Sequence, residues 1–334
     1  MRSIFVLLFL VASAAAAEDV LGPAEYLAIL AESKLHYNIL STPSKTPIEE
    51  LRCPRRDEST RLVIEGDKKK LVAWTVKLEA LKLMNEGETL FQARDYAGAT
   101  EKYKAAIAAD PQAPSGYYFY GDALLFGSKD AAAALAQYEK GIALDPTQPL
   151  GHFFASTALV QLERPDEARE HVIKALTYYP SYQSLWKVAA SSSERWNVKP
   201  VVRHKFEPPA GYLGKGVKGT DIYAGADNQW LGYAMCKAVW ASEPQFAKRR
   251  TAGGWSLEEE RACVLNQMMA QHNKGAHTPL DQHLVDVLQA HLLDGYILFE
   301  IIGQHCPIGL SVLDDEAIRQ IDGYIRKYVI VAAK

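Results

Sequence analysis

The sequence lacks the signals that mark several well-defined enzyme and metal-binding classes. Its 334 residues contain only four cysteines and no CxxC pair, so a zinc ribbon or a thioredoxin-type redox motif has no support. No HExxH motif occurs, and the glycine-rich stretch at 206–227 lacks the Gly-Lys-Ser/Thr ending of a phosphate-binding loop. That stretch is therefore interpreted as a linker or surface loop.

The sequence also lacks an excess of positive charge. It has 37 Lys and Arg residues against 40 Asp and Glu, and removal of residues 1–17 would take away only Arg2 and leave 36 against 40. Because surfaces for nucleic acid or anionic membranes are usually basic, neither is expected as the main partner. The hydrophobic share of 48% and the charged share of 23% are ordinary for a globular chain, and the length allows about two domains.

The N-terminus carries the features of a cleavable export signal. Arg2 precedes an apolar run at residues 4–11, and three alanines at 15–17 offer small side chains before Glu18. The run is shorter than the roughly 20 residues that a membrane-spanning helix needs. The sequence therefore predicts a signal peptide at 1–17, a periplasmic or secreted mature protein, and no stable membrane span after cleavage. An uncleaved anchor is the alternative.

Export makes disulfides possible, and four cysteines allow three pairings. Cys236 and Cys263 lie on successive predicted helices and can face one another. A possible disulfide between these two residues is therefore predicted, with buried free thiols as the open alternative.

The middle of the chain carries an internal repeat. Pro111, Pro146 and Pro180 lie 35 and then 34 residues apart, and similar residues recur at fixed distances before each proline. Small residues would let two antiparallel helices approach closely, a tyrosine would fill the space to the next unit, and the proline would end the second helix. One extra residue in the middle unit is expected in the turn between its helices. The recurring positions are Gly87, Gly121, Ala99, Ala134, Ala168, Tyr103, Tyr138 and Ala175.

On these positions the chain resembles the tetratricopeptide repeat, a 34-residue helix–turn–helix unit. The resemblance covers about 79–180 in three repeats, at about 79–111, 112–146 and 147–180. It predicts a mainly all-α fold, an α-solenoid of three helix hairpins within a domain at 71–190 that ends in a capping helix.

The resemblance implies a concave groove lined by the first helix of each repeat, and hence a protein or peptide partner. The expected ligand is an extended or helical peptide with apolar anchors and a basic residue, because the predicted lining is aromatic, aliphatic and mildly acidic. For each aromatic residue, packing between helices is the alternative. One subclass of the family clamps a C-terminal carboxylate with Lys and Asn, and the absence of a basic clamp here disfavours that ligand. The predicted groove residues are Met84, Glu88, Phe91, Tyr118, Asp122, Leu125, Phe153 and Thr157.

The flanking regions are assigned from helical spacing and turn residues. Residues 18–70 are predicted to hold a helix at about 24–37, a loop-rich part and a short strand at 61–65, and a helix from about Leu71 leads into the first repeat. Residues 191–226 are predicted as a Gly/Pro-rich linker or surface loop. Residues 227–334 are predicted as a C-terminal helical domain, with one long helix from Thr278 to about Gln304.

Histidines and acids are frequent in the last part of the chain, but their spacing matches no metal motif. His283 and His291 are eight residues apart, and Gly303 stands where a Glu-x-x-His pair would need a histidine. No metal or cofactor is therefore expected. The sequence predicts an exported scaffold that binds proteins and catalyses no reaction. The alternative is an enzyme, metal-dependent or other, that uses these C-terminal residues and docks a partner on its repeats.

Overall fold

A computed structural model describes residues 21–48, 60–66, 68–250, 256–275 and 278–333. The predicted signal peptide, Cys53 and His277 lie outside these residues. The chain forms two compact units, each built from two separate segments. The repeat unit comprises residues 53–203 and 306–334, and the disulfide unit comprises the N-terminal residues to Arg52 together with 204–305.

The part of the chain that the structure describes is mainly α-helical, with five short strands. The strands are β1 (Tyr37–Leu40), β2 (Thr60–Glu65), β3 (Lys68–Ala73), β4 (Leu213–Gly216) and β5 (Gly219–Tyr223). The helices are α1 (Pro23–Glu32), α2 (Leu78–Gln92), α3 (Tyr96–Ala109), α4 (Pro114–Ala123), α5 (Ala131–Leu144), α6 (Pro149–Gln161), α7 (Pro165–Tyr178), α8 (Gln183–Ser192), α9 (Leu231–Ser242), α10 (Leu257–Lys274), α11 (Pro279–Gln289), α12 (Leu293–Tyr296), α13 (Gly303–His305), α14 (Pro307–Leu310) and α15 (Asp315–Tyr324). Within the described part of the chain, no helix combines the length and apolarity needed to cross a membrane.

Three helix hairpins form the centre of the repeat unit, as the sequence predicts. They are α2 with α3, α4 with α5, and α6 with α7, and α8 follows where a capping helix is expected. Each hairpin turns through one residue in the left-handed backbone region, at Arg94, Lys129 and Glu163. Asp95 caps α3 and Asp130 caps α5 by accepting a hydrogen bond from a backbone N–H of the first turn. Local capping therefore fixes where the second helix begins in two of the hairpins.

The extra residue of the middle repeat lies before the turn. Helix α4 continues as a π-helical turn from Leu124 to Ser128, a geometry that accommodates one additional residue. The turn hydrogen bond joins Asp95 to Leu90 in the first hairpin, but the equivalent bond of the second joins Asp130 to Leu124, one residue further apart. The prediction of a longer turn was wrong in this detail, because the end of the helix widens instead.

The Asp-Pro pairs between repeats do more than end a helix. Asp110 is buried and its carboxylate accepts backbone hydrogen bonds from Gln112 at 3.2 Å and from Lys77 at 3.0 Å. Asp145 is also buried and accepts from both the backbone and the hydroxyl of Thr147. Each aspartate thus satisfies polar groups of the connection that leads to the next repeat.

Segments from both sides of the repeats complete the repeat unit. The predicted strand at 61–65 is confirmed as β2, which pairs antiparallel with β3. The helix predicted from Leu71 was wrong, since β3 runs to Ala73 and α2 begins only at Leu78. At the other end of the chain, Arg326 forms two hydrogen bonds to Glu170 of α7, at 2.7 and 2.6 Å. The last residues therefore pack with the repeats and do not belong to one domain at 227–334.

The disulfide unit combines helices with a small sheet of strand order β1–β5–β4, in which β1 and β5 are parallel. The predicted linker at 191–226 contains β4 and β5, and its side chains Phe206, Tyr212 and Ile222 are buried. Alternating apolar residues in a glycine-rich stretch formed a hairpin where a loop was expected. The helix predicted at 24–37 is shorter than expected, because it ends at Glu32 and β1 follows.

Helices α9 and α10 form the centre of the disulfide unit. Cys236 and Cys263 join them through a disulfide between two fully buried side chains. Ser256 caps α10 by accepting a hydrogen bond from the backbone N–H of Glu259 at 3.0 Å. The Glu259 carboxylate pairs with Lys237 at 2.7 Å and with Arg250 at 2.7 Å.

The long helix predicted from Thr278 to Gln304 is interrupted. Thr278 caps α11, but that helix ends at Gln289. His291 has a left-handed backbone, with φ of 57°, and a new helix starts at Leu293. Apolar spacing alone predicted a continuous helix, since no Gly or Pro marks this break.

Candidate functional site

The first and second helices of each hairpin meet through a matched pair of residues. In the first hairpin, a methyl carbon placed on Gly87 would lie 2.5 Å from the Tyr103 ring, so only glycine permits the approach. Gly121 and Tyr138 repeat this contact in the second hairpin. The third hairpin has Ser156 and Val172 at these positions, both buried. In the first two hairpins a glycine thus faces a tyrosine ring. In the third hairpin a serine, which is larger than glycine, faces a valine, which is smaller than tyrosine.

The same tyrosines hold the predicted acidic groove residues. The Tyr103 hydroxyl lies 3.3 Å from Glu88 Oε2, and the Tyr138 hydroxyl donates to Asp122 Oδ1 at 2.6 Å. Thr157 occupies the equivalent place in the third hairpin, where Val172 has no hydroxyl to donate. The first two repeats therefore have both the tyrosine and the acid, whereas the third repeat has neither.

Burial and a second carboxylate alter the acidity of Asp122. Burial raises the pKa of its carboxyl from 3.8 to about 7; the charge of Glu88 adds to the rise, while the Tyr138 hydrogen bond opposes it. The protonation of Asp122 therefore changes near neutral pH. A cation that approached this carboxyl would favour its charged form.

Three predicted groove residues are not surface residues. Met84 is 2% exposed, Tyr118 1% and Leu125 4%, so all three belong to the core. A methyl carbon placed on Gly151 would lie 2.5 Å from the Tyr118 hydroxyl oxygen, which shows how closely this ring packs against the next repeat. The assignment of these residues to the groove was wrong, because their side chains fill the space between hairpins.

Five of the predicted residues remain partly exposed on the first helices: Glu88, Phe91, Asp122, Phe153 and Thr157. We call these five residues together with Phe126 the groove surface. Phe126 was missed by the sequence reasoning although it is 52% exposed and its ring centre lies 5.9 Å from that of Phe91. Phe126 lies within the π-helical turn, and the repeat pattern does not predict that turn.

The groove surface takes one phenylalanine from each repeat, and the first two repeats each add an acid, Glu88 and Asp122. Phe91 contacts Tyr96 edge to face in the first hairpin, with ring centres 5.2 Å apart. Phe153 contacts Tyr182, just before α8, in the same manner at 5.8 Å. The neighbouring ring of each pair fixes the orientation of the exposed phenylalanine, so each presents an ordered apolar surface.

Basic side chains are scarce on the first helices. Helices α4 and α6 contain no Lys or Arg, and α2 contains only Lys82, which lies 4.0 Å from Glu86. The charges of the groove surface therefore come from Glu88 and Asp122. This distribution suits a partner with a positive charge and opposes one that presents a carboxylate.

The late histidines do not assemble a metal site in the described residues. His283 is buried, stacks on His204 with ring centres 4.0 Å apart, and packs against Tyr296. His291 is exposed at the break between α11 and α12. In the described ranges, no group of three or more His, Cys, Asp or Glu residues could hold a metal ion.

Comparison with known families agrees with the repeat geometry. The tetratricopeptide-repeat family model matches residues 84–149, which lie within the first two hairpins and the start of the third. The chain therefore contains tetratricopeptide repeats. No curated protein is similar enough to the chain to add a relative.

Solved structures with partial likeness include three tetratricopeptide-repeat or chaperone chains. The TPR2B domain of yeast Sti1, in a complex with pHsp70, is 22% identical and covers 36% of this chain and 94% of its own, with a TM-score of 0.33. The Yersinia enterocolitica type III secretion chaperone SycD, with a peptide of the translocator YopD, is 17% identical over 35% and 88%, with a TM-score of 0.32. The first TPR domain of human RPAP3 is 23% identical over 36% and 96%, with a TM-score of 0.32. The family assignment rests on the family model and the repeat geometry, and these scores add nothing to it.

Proposed function

We propose that the groove surface binds an extended or helical peptide segment that carries apolar anchors and at least one Lys or Arg. The observation that carries the proposal is the arrangement of exposed Phe126 and partly exposed Phe91 and Phe153 with two acids, Glu88 and Asp122, on first helices that hold almost no basic residues. Aromatic anchors supply much of the binding energy of many interfaces. Opposite charge adds specificity and increases the rate of association.

Asp122 would make the binding of a basic residue depend on pH. Asp122 is held by Tyr138, and its elevated pKa means that a partner cation must stabilise the ionised carboxylate. Binding of a basic residue there would become stronger as pH rises through about 7, because a growing fraction of Asp122 is then charged. The binding of a partner that contacted only the phenylalanine side chains of the groove surface would not depend on pH in this way.

A peptide selection tests this proposal directly. Random peptides displayed on phage would be selected against the mature protein, with the expectation that retained peptides are enriched in apolar residues and in Lys or Arg. Phe153→Ala and Asp122→Asn should each weaken binding of a selected peptide about tenfold or more, as expected for anchor residues. Lys140→Ala, an exposed change on α5, is the matched control and should leave binding unchanged.

The selection can also contradict the proposal. Enrichment of peptides with acidic C-termini would be inconsistent with the charge of the groove surface. Retention of the same peptides by the Phe153→Ala/Asp122→Asn double variant would show that binding occurs elsewhere.

We further propose that the protein works in an exported compartment and catalyses no reaction. The support is the signal-like N-terminal sequence at 1–17 and the absence from the sequence of the catalytic motifs discussed above. Mass spectrometry of the protein from fractionated cells should find an N-terminus near Glu18 in the exported fraction. A chain that keeps Met1 and stays in the cytoplasm would contradict export. Tightly bound stoichiometric metal that is lost in His283→Ala would favour the enzyme alternative.

A further inference from the structure

One end of the small sheet in the disulfide unit carries a group of exposed lysines. β1 and β5 are parallel and β4 is antiparallel to β5, so the starts of β1 and β5 and the end of β4 lie at the same end of the sheet. Pro47 pairs antiparallel with Gly214, and the Thr46 carbonyl oxygen accepts from the backbone N–H of Lys215 at 2.8 Å, which places Lys45 toward this end as well. We call its exposed residues the lysine end: Lys34, Leu35, Lys45, Lys215, Val217 and Lys218.

The turn between β4 and β5 presents an apolar side chain to solvent. Gly216 pairs with Gly219, so the turn consists of Val217 and Lys218 alone. Val217 is 102% exposed, and Leu35, two residues before β1, is 41% exposed. Single exposed apolar side chains are common, but here two of them share one end of a sheet with four lysines.

The lysines give this end a positive charge that the chain as a whole does not have. Within the part of the chain that the structure describes, none of the four lysines forms an ion pair. Two acids lie close in the chain or in space. Glu32 ends α1, and the Asp221 carboxylate accepts from Asn38 at 3.0 Å and from Ser44 at 3.2 Å. Four lysines against two acids leave the lysine end positive, although the sequence has 37 Lys and Arg against 40 Asp and Glu.

We propose that the lysine end docks on an anionic lipid membrane, with its lysines at the headgroups and Val217 and Leu35 in the apolar layer beneath them. Each lysine near a negatively charged membrane adds to binding, and its aliphatic stem can lie against apolar surface while its charge stays among the headgroups. The net negative charge of the chain argues against a membrane as the main partner. It does not oppose a local contact, because salt screens charges beyond about 8–10 Å.

The apolar residue at the tip favours lipid over nucleic acid. A nucleic acid offers phosphates to the lysines but no apolar layer for Val217, and single strands are usually held by stacking on exposed aromatic rings. Tyr37 at the start of β1 does not provide such a ring, because it is half-buried and its hydroxyl donates to Glu243 at 2.6 Å. An acidic protein is the remaining class of partner, and the experiment distinguishes it.

Vesicle sedimentation tests the proposal. The mature protein, which lacks the apolar run at residues 4–11, would be mixed with vesicles of phosphatidylcholine alone or of equal parts phosphatidylcholine and phosphatidylglycerol. Lys215→Gln/Lys218→Gln removes two charges beside the tip, and Val217→Ser removes the apolar side chain at unchanged charge. The matched control is Lys140→Gln/Lys187→Gln, which removes two exposed lysines of the repeat unit and changes the net charge by the same amount.

The wild type should sediment with the mixed vesicles and not with phosphatidylcholine alone. Lys215→Gln/Lys218→Gln should weaken this binding about tenfold or more, because two lysines leave the charged surface. Val217→Ser should weaken it about threefold to tenfold, because less apolar surface enters the membrane. The control should bind like the wild type. Because each variant changes exposed residues, thermal melts should show the wild-type Tm for all of them.

Three results would overturn membrane docking by the lysine end. The first is a wild type that does not sediment with the mixed vesicles. The second is an equal loss of binding in the control, which would mean that net charge and not this end determines the contact. The third is binding of a soluble DNA duplex or of polyglutamate as tight as that of the mixed vesicles, which would identify a nucleic acid or an acidic protein as the partner instead.

Discussion

The hydroxyl group of Tyr138 donates a 2.6 Å hydrogen bond to the Asp122 carboxylate across the second hairpin. The bond joins the residue that packs against Gly121 to an acid on the groove surface, so the packing of the repeat and its surface chemistry are coupled. Tyr103 approaches Glu88 in the same way in the first hairpin, at 3.3 Å. The third repeat has neither partner, so its groove position Thr157 is free of this coupling to the second helix.

The raised pKa of Asp122 predicts a pH-dependent contribution to stability. Its folded pKa of about 7 exceeds the ordinary value of 3.8, so the folded state holds a proton that the unfolded state releases. The contribution is fully present below about pH 4 and is lost as pH rises through about 7. Asp122→Asn removes this term, so its unfolding free energy relative to wild type should increase between about pH 5 and pH 8.

Urea denaturation at the two pH values measures this change. Glu139→Gln, an exposed change on α5, is the control and should follow the wild type at both. A constant difference between Asp122→Asn and wild type would show that the carboxyl does not titrate in this range. Tyr138→Phe should cost about 1.5–3 kcal/mol at about pH 8, because the charged carboxylate then loses a hydrogen bond.

The pairing of small and large residues predicts a position-dependent effect of one methyl group. Gly121→Ala should destabilise the protein by about 1–3 kcal/mol, because the added methyl overlaps the Tyr138 ring. Ser156→Ala in the third hairpin adds no atom and removes only the hydrogen bond that the Ser156 hydroxyl donates to the Phe153 carbonyl oxygen at 2.7 Å, so it should cost about 0.5–1.5 kcal/mol. Thermal melts of the two variants provide the comparison.

A double variant separates this contact from a general effect of helix propensity. Gly121→Ala alone raises helix propensity, so a stabilised variant would contradict the close approach. In Gly121→Ala/Tyr138→Val the smaller side chain makes room for the methyl group. The two changes should therefore cost less together than the sum of each alone, whereas strict additivity would place the residues out of contact.

The repeat pattern made most of the scaffold predictable, since Gly87, Ala99 and Tyr103 recur at one spacing and their sizes dictate how close two helices lie. Burial of Met84 and Tyr118 was not predictable in this way. The repeat period predicts that a residue lies on the first helix. Whether its side chain is exposed depends on the rotation and spacing of neighbouring hairpins, which the period does not give. The exposure of Phe126 was not predictable either, because it depends on the π-helical turn in which this residue lies.

The regions outside the repeats were less predictable because their partners are distant in sequence. β1 pairs with β5, about 180 residues later in the chain, through the register Tyr37 to Thr220. No local pattern indicates such a pairing. Likewise, the break at His291 depends on a left-handed backbone. Histidine adopts this conformation more often than most residues, but it remains uncommon, so a histidine alone does not predict a helix end.

Ala99 offers a test of the close contact between α2 and α3. The residue is fully buried, so Ala99→Leu must displace neighbouring atoms and should cost about 1–3 kcal/mol. Ala99→Gly removes one methyl from a helix and should cost about 1 kcal/mol. Thermal melts should rank leucine below glycine in stability; the opposite order would show that the hairpin tolerates a larger residue and that the contact is loose.

The charged network in the disulfide unit predicts a large cost for removal of one partner. Lys237 is 6% exposed and pairs with Glu259 at 2.7 Å and with Glu260, which also accepts from the Tyr233 hydroxyl at 2.9 Å. Lys237→Ala leaves a buried carboxylate without its cation and should destabilise the protein by about 3–5 kcal/mol.

Compensation distinguishes lost charge pairing from lost packing. Lys237→Met keeps most of the side-chain volume but still leaves Glu260 uncompensated, so it should be nearly as harmful as the alanine change. Lys237→Met/Glu260→Gln removes both charges of one pair and should recover a large part of the lost stability, because the neutral amide costs less to bury than a carboxylate. Arg250 still neutralises Glu259 in that variant through its 2.7 Å contact. Chemical denaturation followed by tryptophan fluorescence measures the series, and a double variant no more stable than Lys237→Met would mean that packing, not charge, sets the cost.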